Sequence, residues 1–156
     1  MFRYGLMAVV LVAAPAAAAQ ESAGPAAQFG AREHIEQTDL SPDGRRVAYL
    51  TPGPGQSTIA VVQELSPGSQ PQAVVRTDGN PERLRWCRFV ANDRVICRVS
   101  LLMAERGTFT PYNRLLAVDT DGERPQLLGE RPSFFDAYIR QFDASILDWL
   151  PGQEGV

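Results

Sequence analysis

The chain contains no lysine. All fifteen of its Lys+Arg cations are arginine, and one histidine and two cysteines stand among 156 residues. Without lysine there is no phosphate-loop lysine, no Schiff-base lysine and no lysine general base. One histidine and two cysteines cannot complete a four-ligand zinc cage of Cys and His. Asp39, Asp43, Asp119 and Asp121 are the residue type of calcium loops, but they lie in separate turns without the EF-hand spacing. No metal and no other cofactor is therefore expected. A formal net charge of −3 offers no footprint for nucleic acid. There is no Gly-x-Ser-x-Gly elbow, and the single imidazole, His34, has no nucleophile motif beside it. It reads as a surface or interface histidine, and no catalytic residue is assigned.

What is present begins with an address. Arg3 precedes an unbroken apolar run from Gly5 to Ala14, Pro15 breaks it, and Ala16 to Ala19 supply small residues. This is the layout of a secretory signal. The run is shorter than the roughly 20 apolar residues of a membrane span. The expectation is an exported protein, periplasmic or secreted, with residues 1–19 removed and no membrane span left. No cysteine follows the small residues, which argues against a lipid anchor. Removing nineteen residues from 156 leaves 137, and losing Arg3 takes the charge from −3 to −4. Gln20 to Gln28 reads as a flexible leader, so the folded part should be 29–156.

From Asp39 onward, turn signals alternate with short β runs. Pro42-Asp43-Gly44, Pro52-Gly53-Pro54-Gly55, Ser66-Pro67-Gly68 and Asp78-Gly79-Asn80-Pro81 are the turns. Val47–Leu50, Thr58–Gln63, Ala73–Arg76, Leu84–Val90, Arg94–Leu102, Arg114–Asp119 and Gln126–Leu128 are the expected strands. Phe29–Glu36 is too short to assign, and Phe134–Phe142 reads as a short helix or an irregular connection. The pattern also repeats. Leu40-Ser41-Pro42-Asp43-Gly44-Arg45-Arg46-Val47 has its counterpart in Phe89-Val90-Ala91-Asn92-Asp93-Arg94-Val95. Ile59-Ala60-Val61 followed by Pro71-Gln72 matches Leu116-Ala117-Val118 followed by Pro125-Gln126. A third start stands at Asp148-Trp149-Leu150-Pro151-Gly152. A period of about 40–50 residues holding four short strands is the signature of propeller blades. The expected fold is all-β: a partial β-propeller of about two four-stranded antiparallel blades plus the start of a third.

The Leu40–Tyr49 stretch resembles the blade motif of periplasmic TolB-type propellers and of the propeller domains of prolyl oligopeptidase-type serine peptidases. A signal segment, a start at Phe29 and then this motif resembles the N-terminus of secreted acylaminoacyl- or dipeptidyl-peptidase-like members. Trp86-Cys87-Arg88-Phe89 and Ile146-Leu147-Asp148-Trp149-Leu150-Pro151 are similar to their successive blades. The resemblance implies a non-catalytic N-terminal propeller fragment. Such a propeller gates and positions peptide substrates for a hydrolase domain that, with the later blades, lies outside this chain. A TolB-type binding module without chemistry is the alternative, and a small self-sufficient β domain is a third. In dipeptidyl-peptidase-like relatives, acids from a propeller insertion hold the substrate's free amine. That resemblance makes Glu105 the candidate substrate-binding residue, in a Leu101–Pro111 segment that breaks the repeat and otherwise reads as a solvated loop.

Cys87 and Cys97 are expected to form a disulfide. A hairpin turning through Ala91-Asn92-Asp93 puts them opposite each other and in disulfide reach, with buried free thiols as the alternative. A two-residue turn shifts the register and puts Cys87 opposite Arg98. The signal reading has a direct check. N-terminal sequencing of the exported protein is expected to start at Gln20, and a sequence starting at Met1 would show an uncleaved anchor.

Overall fold

The computed structural model describes residues 29–105, 107–129, 140–142 and 144–149, with the backbone alone at Glu105. The chain divides into two compact units, Met1–Ala31 and Arg32–Val156. Of the first, only residues 29–31 are described, and Phe29 is exposed. The signal segment 1–19, the leader 20–28 and most of Phe134–Phe142 lie outside the described residues. Among the described residues no helix is long and apolar enough to cross a membrane.

The second unit is all-β. Sheet A runs β1 (Glu36–Leu40), β2 (Arg46–Pro52), β3 (Thr58–Glu64) and β4 (Gln72–Thr77). Sheet B runs β5 (Glu82–Ala91), β6 (Arg94–Glu105), β7 (Thr108–Asp119) and β8 (Gln126–Leu128). Each is a four-stranded antiparallel meander in chain order. The turns have local causes. Asp43 Oδ1 accepts from Ser41 Oγ at 2.6 Å and from the Arg45 N–H at 3.0 Å, and Gly44 takes φ 68°. An Asx cap plus a left-handed glycine is what returns β1 into β2. Between the sheets, a Cβ on Gly79 would lie 2.1 Å from the Gln56 carbonyl oxygen, and its φ is 85°. Only glycine fits that link.

All seven expected β runs fall within observed strands. The structure departs from expectation in three places. The Leu101–Pro111 segment is not a loop: β6 and β7 pair from Arg94↔Asp119 to Glu105↔Thr108 and form one long hairpin. Gly107 at φ 81° permits its tight return. β1 was not anticipated, because Glu36-Gln37-Thr38-Asp39-Leu40 is polar and bulged, with Gln37 at φ 54°. The third departure concerns the cysteine hairpin. Ala91 pairs with Arg94, so the turn has two residues, yet Cys87 still pairs with Cys97. A bulge between Phe89 and Ala91 takes up the extra residue and restores the register. The two sulfurs are bonded to each other.

The two sheets stack on one core. Ala48, Leu50, Ala60 and Val62 of sheet A meet Leu84, Cys87, Phe89, Val95, Cys97 and Val118 of sheet B. Val95 and Cys97 are fully buried, so the disulfide sits inside this layer. The joint also has a polar pin. β5 is an edge strand, and the Phe89 N–H finds its acceptor across the joint in Asp39 Oδ2 at 2.8 Å. Replacing Asp39 by alanine strands that donor, at a cost of about 1–3 kcal/mol. In urea unfolding, Asp39→Ala should show this loss and Asp39→Asn, which keeps an acceptor, should recover most of it. Equal losses would mean that the hydrogen bond contributes nothing.

Candidate functional site

The residues singled out in the sequence do not converge. His34 is exposed on the approach to β1, and among the described residues none hydrogen-bonds to it. Glu105 ends β6 opposite Thr108 at the tip of the long hairpin, and its side chain lies outside the described residues. Cys87 and Cys97 are bonded within the core. Among the described residues no group of three or more His, Cys, Asp or Glu is placed to hold a metal ion. The aspartates have separate local partners. Asp39 pins the sheets, Asp43 and Asp121 cap turns, and Asp119 is buried in an ion-pair cluster.

What does converge is organised by the repeat. Arg46 opens β2 and pairs with Glu64 at the end of β3, Nη2 to Oε1 3.2 Å. Arg94 opens β6 and pairs with Asp119 at the end of β7. These are the same ladder position in the two sheets. Arg46 Nη1 also donates to the Asn92 carbonyl at 2.7 Å, and Asn92 Oδ1 accepts from the Asp43 N–H at 3.0 Å. Gln72 Nε2 reaches the Asp121 carbonyl at 3.4 Å. Asp43–Asn92 and Gln72–Asp121 are both separated by 49 residues, the spacing of the first repeat landmarks.

In sheet B the matching groups look outward. Arg94, Arg124, Pro125 and Gln126 line a cleft of about 410 Å³. Arg94 and Arg124 both donate to the Asp119 carboxylate, which is 8% exposed. Burial alone pushes the Asp119 carboxyl up. The hydrogen bonds and charges of Arg124 and Arg94 outweigh it and hold the group below the ordinary aspartate range. Both guanidinium groups are thus occupied by a carboxylate of the same chain.

The far side of sheet B carries an aromatic cluster. Trp86, Arg88, Ile96, Arg98, Leu115 and Ala117 share that face by register. Trp149 lies edge-on to Trp86 with ring centroids 6.0 Å apart. The Arg88 guanidinium is 5.9 Å from the Trp86 ring centroid and 5.7 Å from that of Trp149. Leu115 and Ala117 are buried even though they face away from sheet A.

The contacts of these groups, as described, are all within the chain. Among the described residues they make no nucleophile–base pair. Sequence reasoning passed over Asp39, Arg46, Asn92 and Asp119 as partners. The signal that would have found Asn92 is the 49-residue spacing itself, since Asp43 and its repeat equivalent Asn92 touch. No family model, curated protein or solved structure matches the chain.

The Asp119 cluster has a pH signature. A carboxyl depressed in the folded state contributes stability above the unfolded value of about 3.9, and this is lost as pH falls through the lower folded value. Asp119→Asn should lower the urea midpoint at pH 7, with the gap to the parent narrowing below about pH 4. A gap that stays constant down to pH 2 would show that the carboxylate charge is not what the arginines hold.

Proposed function

We propose that Arg32–Leu128 forms two consecutive blades of a β-propeller, and that the chain is the N-terminal, non-catalytic part of an exported prolyl oligopeptidase-like serine peptidase. In this reading the propeller gates and positions peptide substrates. The remaining blades and the hydrolase domain lie outside this chain. No cofactor and no nucleic acid is involved.

One observation carries the blade reading: repeat-equivalent positions face the same way. Ala48 and Ala60 of sheet A look toward sheet B, while their equivalents Ile96 and Ala117 look away from sheet A. Conversely Val118 of sheet B faces sheet A, and its equivalent Val61 faces away from sheet B. Asp39 reaches forward to Phe89, and its equivalent Arg88 reaches forward to Trp149 at the third repeat start. A two-fold sandwich would turn equivalent faces toward each other. Facing in one direction is heterologous stacking, which builds a ring where the rotation between units closes. Two blades then bury one joint and leave each outer face for a neighbour.

The peptidase assignment rests on the resemblance of the Leu40–Tyr49 motif and its setting. Its test is the coding sequence that follows Val156 in the transcript, together with assay of the protein it specifies. Further blades, then a Gly-x-Ser-x-Gly domain, and turnover of a chromogenic aminoacyl peptide by that protein are expected. Further blades without a hydrolase would replace this reading by a binding module. Turnover by pure Gln20–Val156 alone would overturn the non-catalytic role.

A further inference from the structure

The joint between the sheets shows what one sheet takes from the next. Three donors of sheet A reach two turns of sheet B. Arg46 Nη1 donates to the Asn92 carbonyl at 2.7 Å, the Asp43 N–H to Asn92 Oδ1 at 3.0 Å, and Gln72 Nε2 to the Asp121 carbonyl at 3.4 Å. Asn92 lies in the β5–β6 turn and Asp121 in the β7–β8 turn.

Sheet B carries the same donors at the same ladder positions. Arg46 pairs with Glu64, and Arg94 with Asp119. Two residues on, Ala48 pairs with Val62 and Val62 with Gln72, while Ile96 pairs with Ala117 and Ala117 with Gln126. Arg94 and Gln126 therefore stand to sheet B as Arg46 and Gln72 stand to sheet A, and Asn92 is the repeat equivalent of Asp43. In sheet A these donors are engaged by sheet B. In sheet B, Arg94 and Gln126 line the open cleft of about 410 Å³ with Arg124 and Pro125. Two guanidinium groups face the single Asp119 carboxylate there, so the cleft carries net positive charge. The Gln126 amide is engaged through Oε1, 3.4 Å from Arg94 Nη2, and no described residue accepts from its Nε2.

The matching acceptors stand on sheet A. Asn92 uses both of its oxygens toward sheet A. Its equivalent Asp43 lies in an exposed turn, where Oδ1 takes Ser41 Oγ and the Arg45 N–H and, among the described residues, nothing donates to Oδ2. The β3–β4 turn, the counterpart of the turn holding Asp121, is exposed from Leu65 to Gly68. Donors are thus left over on sheet B and acceptors on sheet A, and the internal joint shows how the two sets fit.

We propose that the cleft docks the Ser41–Gly44 turn of a second copy of this chain, head to tail. Arg94 and the Asn92 N–H take the places of Arg46 and the Asp43 N–H, with Asp43 of the second copy as acceptor. Gln126 reaches the β3–β4 turn of that copy. A carboxylate in place of the Asn92 carboxamide adds attraction to Arg94 and Arg124. Because the two surfaces differ, the contact is heterologous. Each copy keeps one donor end and one acceptor end, so assembly runs on to a ring or an open chain. The inference rests on the repeat and its joint and is independent of the peptidase assignment.

Sedimentation velocity of the pure chain over a concentration series tests it. The sedimentation coefficient should climb with concentration beyond that of a dimer. It should fall back as salt is raised, since screening weakens the attraction of Asp43 to the arginines. Gln126→Glu puts a carboxylate against the acceptors of the docked turn and should weaken association roughly tenfold. Its urea midpoint should match the parent's, because Gln126 is exposed on an edge strand and glutamate keeps the acceptor for Arg94. In a sample mixed from nitrogen-labelled and carbon-labelled parent copies, NOEs should join the Gln126 side-chain amide of one copy to the Pro42–Gly44 protons of another. A chain that stays monomeric at every concentration would overturn the proposal and leave the cleft to a different partner. So would a stop at the dimer, the mark of an isologous contact, or association that Gln126→Glu leaves unchanged. NOEs from Gln126 to another part of the second copy would overturn it too.

Discussion

The rest of this structure depends on one joint. A four-stranded sheet has two faces and cannot bury either alone. Here Ala48, Leu50, Ala60 and Val62 find their cover in Cys87, Phe89, Val95, Cys97 and Val118. Small residues, Ala48 and Ala60 on one side and Cys87 and Cys97 on the other, alternate with larger ones and let the two layers approach closely. Polar groups then fix how the sheets meet. Asp39 takes the Phe89 N–H, and Asn92 takes the Asp43 N–H while its carbonyl receives Arg46. Apolar burial supplies most of the cohesion, and the hydrogen bonds at the sheet edge supply the alignment.

The joint pairs unlike faces of the two sheets. The next copy of each contact group points onward from sheet B. Arg94 holds Asp119 as Arg46 holds Glu64, but the cleft beside it is open. Arg88 meets Trp149 where Asp39 meets β5. The ion pair at the β6–β7 end is therefore the counterpart in sheet B of Arg46–Glu64 in sheet A. The buried position of Asp119 and its depressed titration follow from two arginines brought in by neighbouring turns. The β6–β7 hairpin extends beyond the length of its counterpart β2–β3 in sheet A. It leaves Leu102 and Phe109 exposed at its free end.

The strands and turns were legible because their signals are local. Glycine at positive φ, aspartate before it and branched residues after it act over four or five positions. The repeat was legible for the same reason, since each sheet uses the same local signals in the same order. β1 was not legible, because its polar side chains are held by pairing to β2 and by the bulge rather than by an apolar pattern. The cysteine pairing was legible as the favoured outcome, but through the wrong turn. Turn length and register were treated as one variable, and the Phe89–Ala91 bulge separates them. The Leu101–Pro111 hairpin was read as a break in the repeat, when its alternation continues both flanking strands.

The sequence by itself determined the all-β class, seven of the eight strands and the spacing of the repeat, because these depend on contacts between near neighbours. Its lack of lysine and its single histidine also narrowed the chemistry before any fold was known. Only the tertiary structure decided which way each sheet faces, which aspartate pins and which is paired, and that Trp86, Arg88 and Trp149 meet. Those are contacts across a joint, and a one-residue bulge is enough to reverse which side chain reaches it.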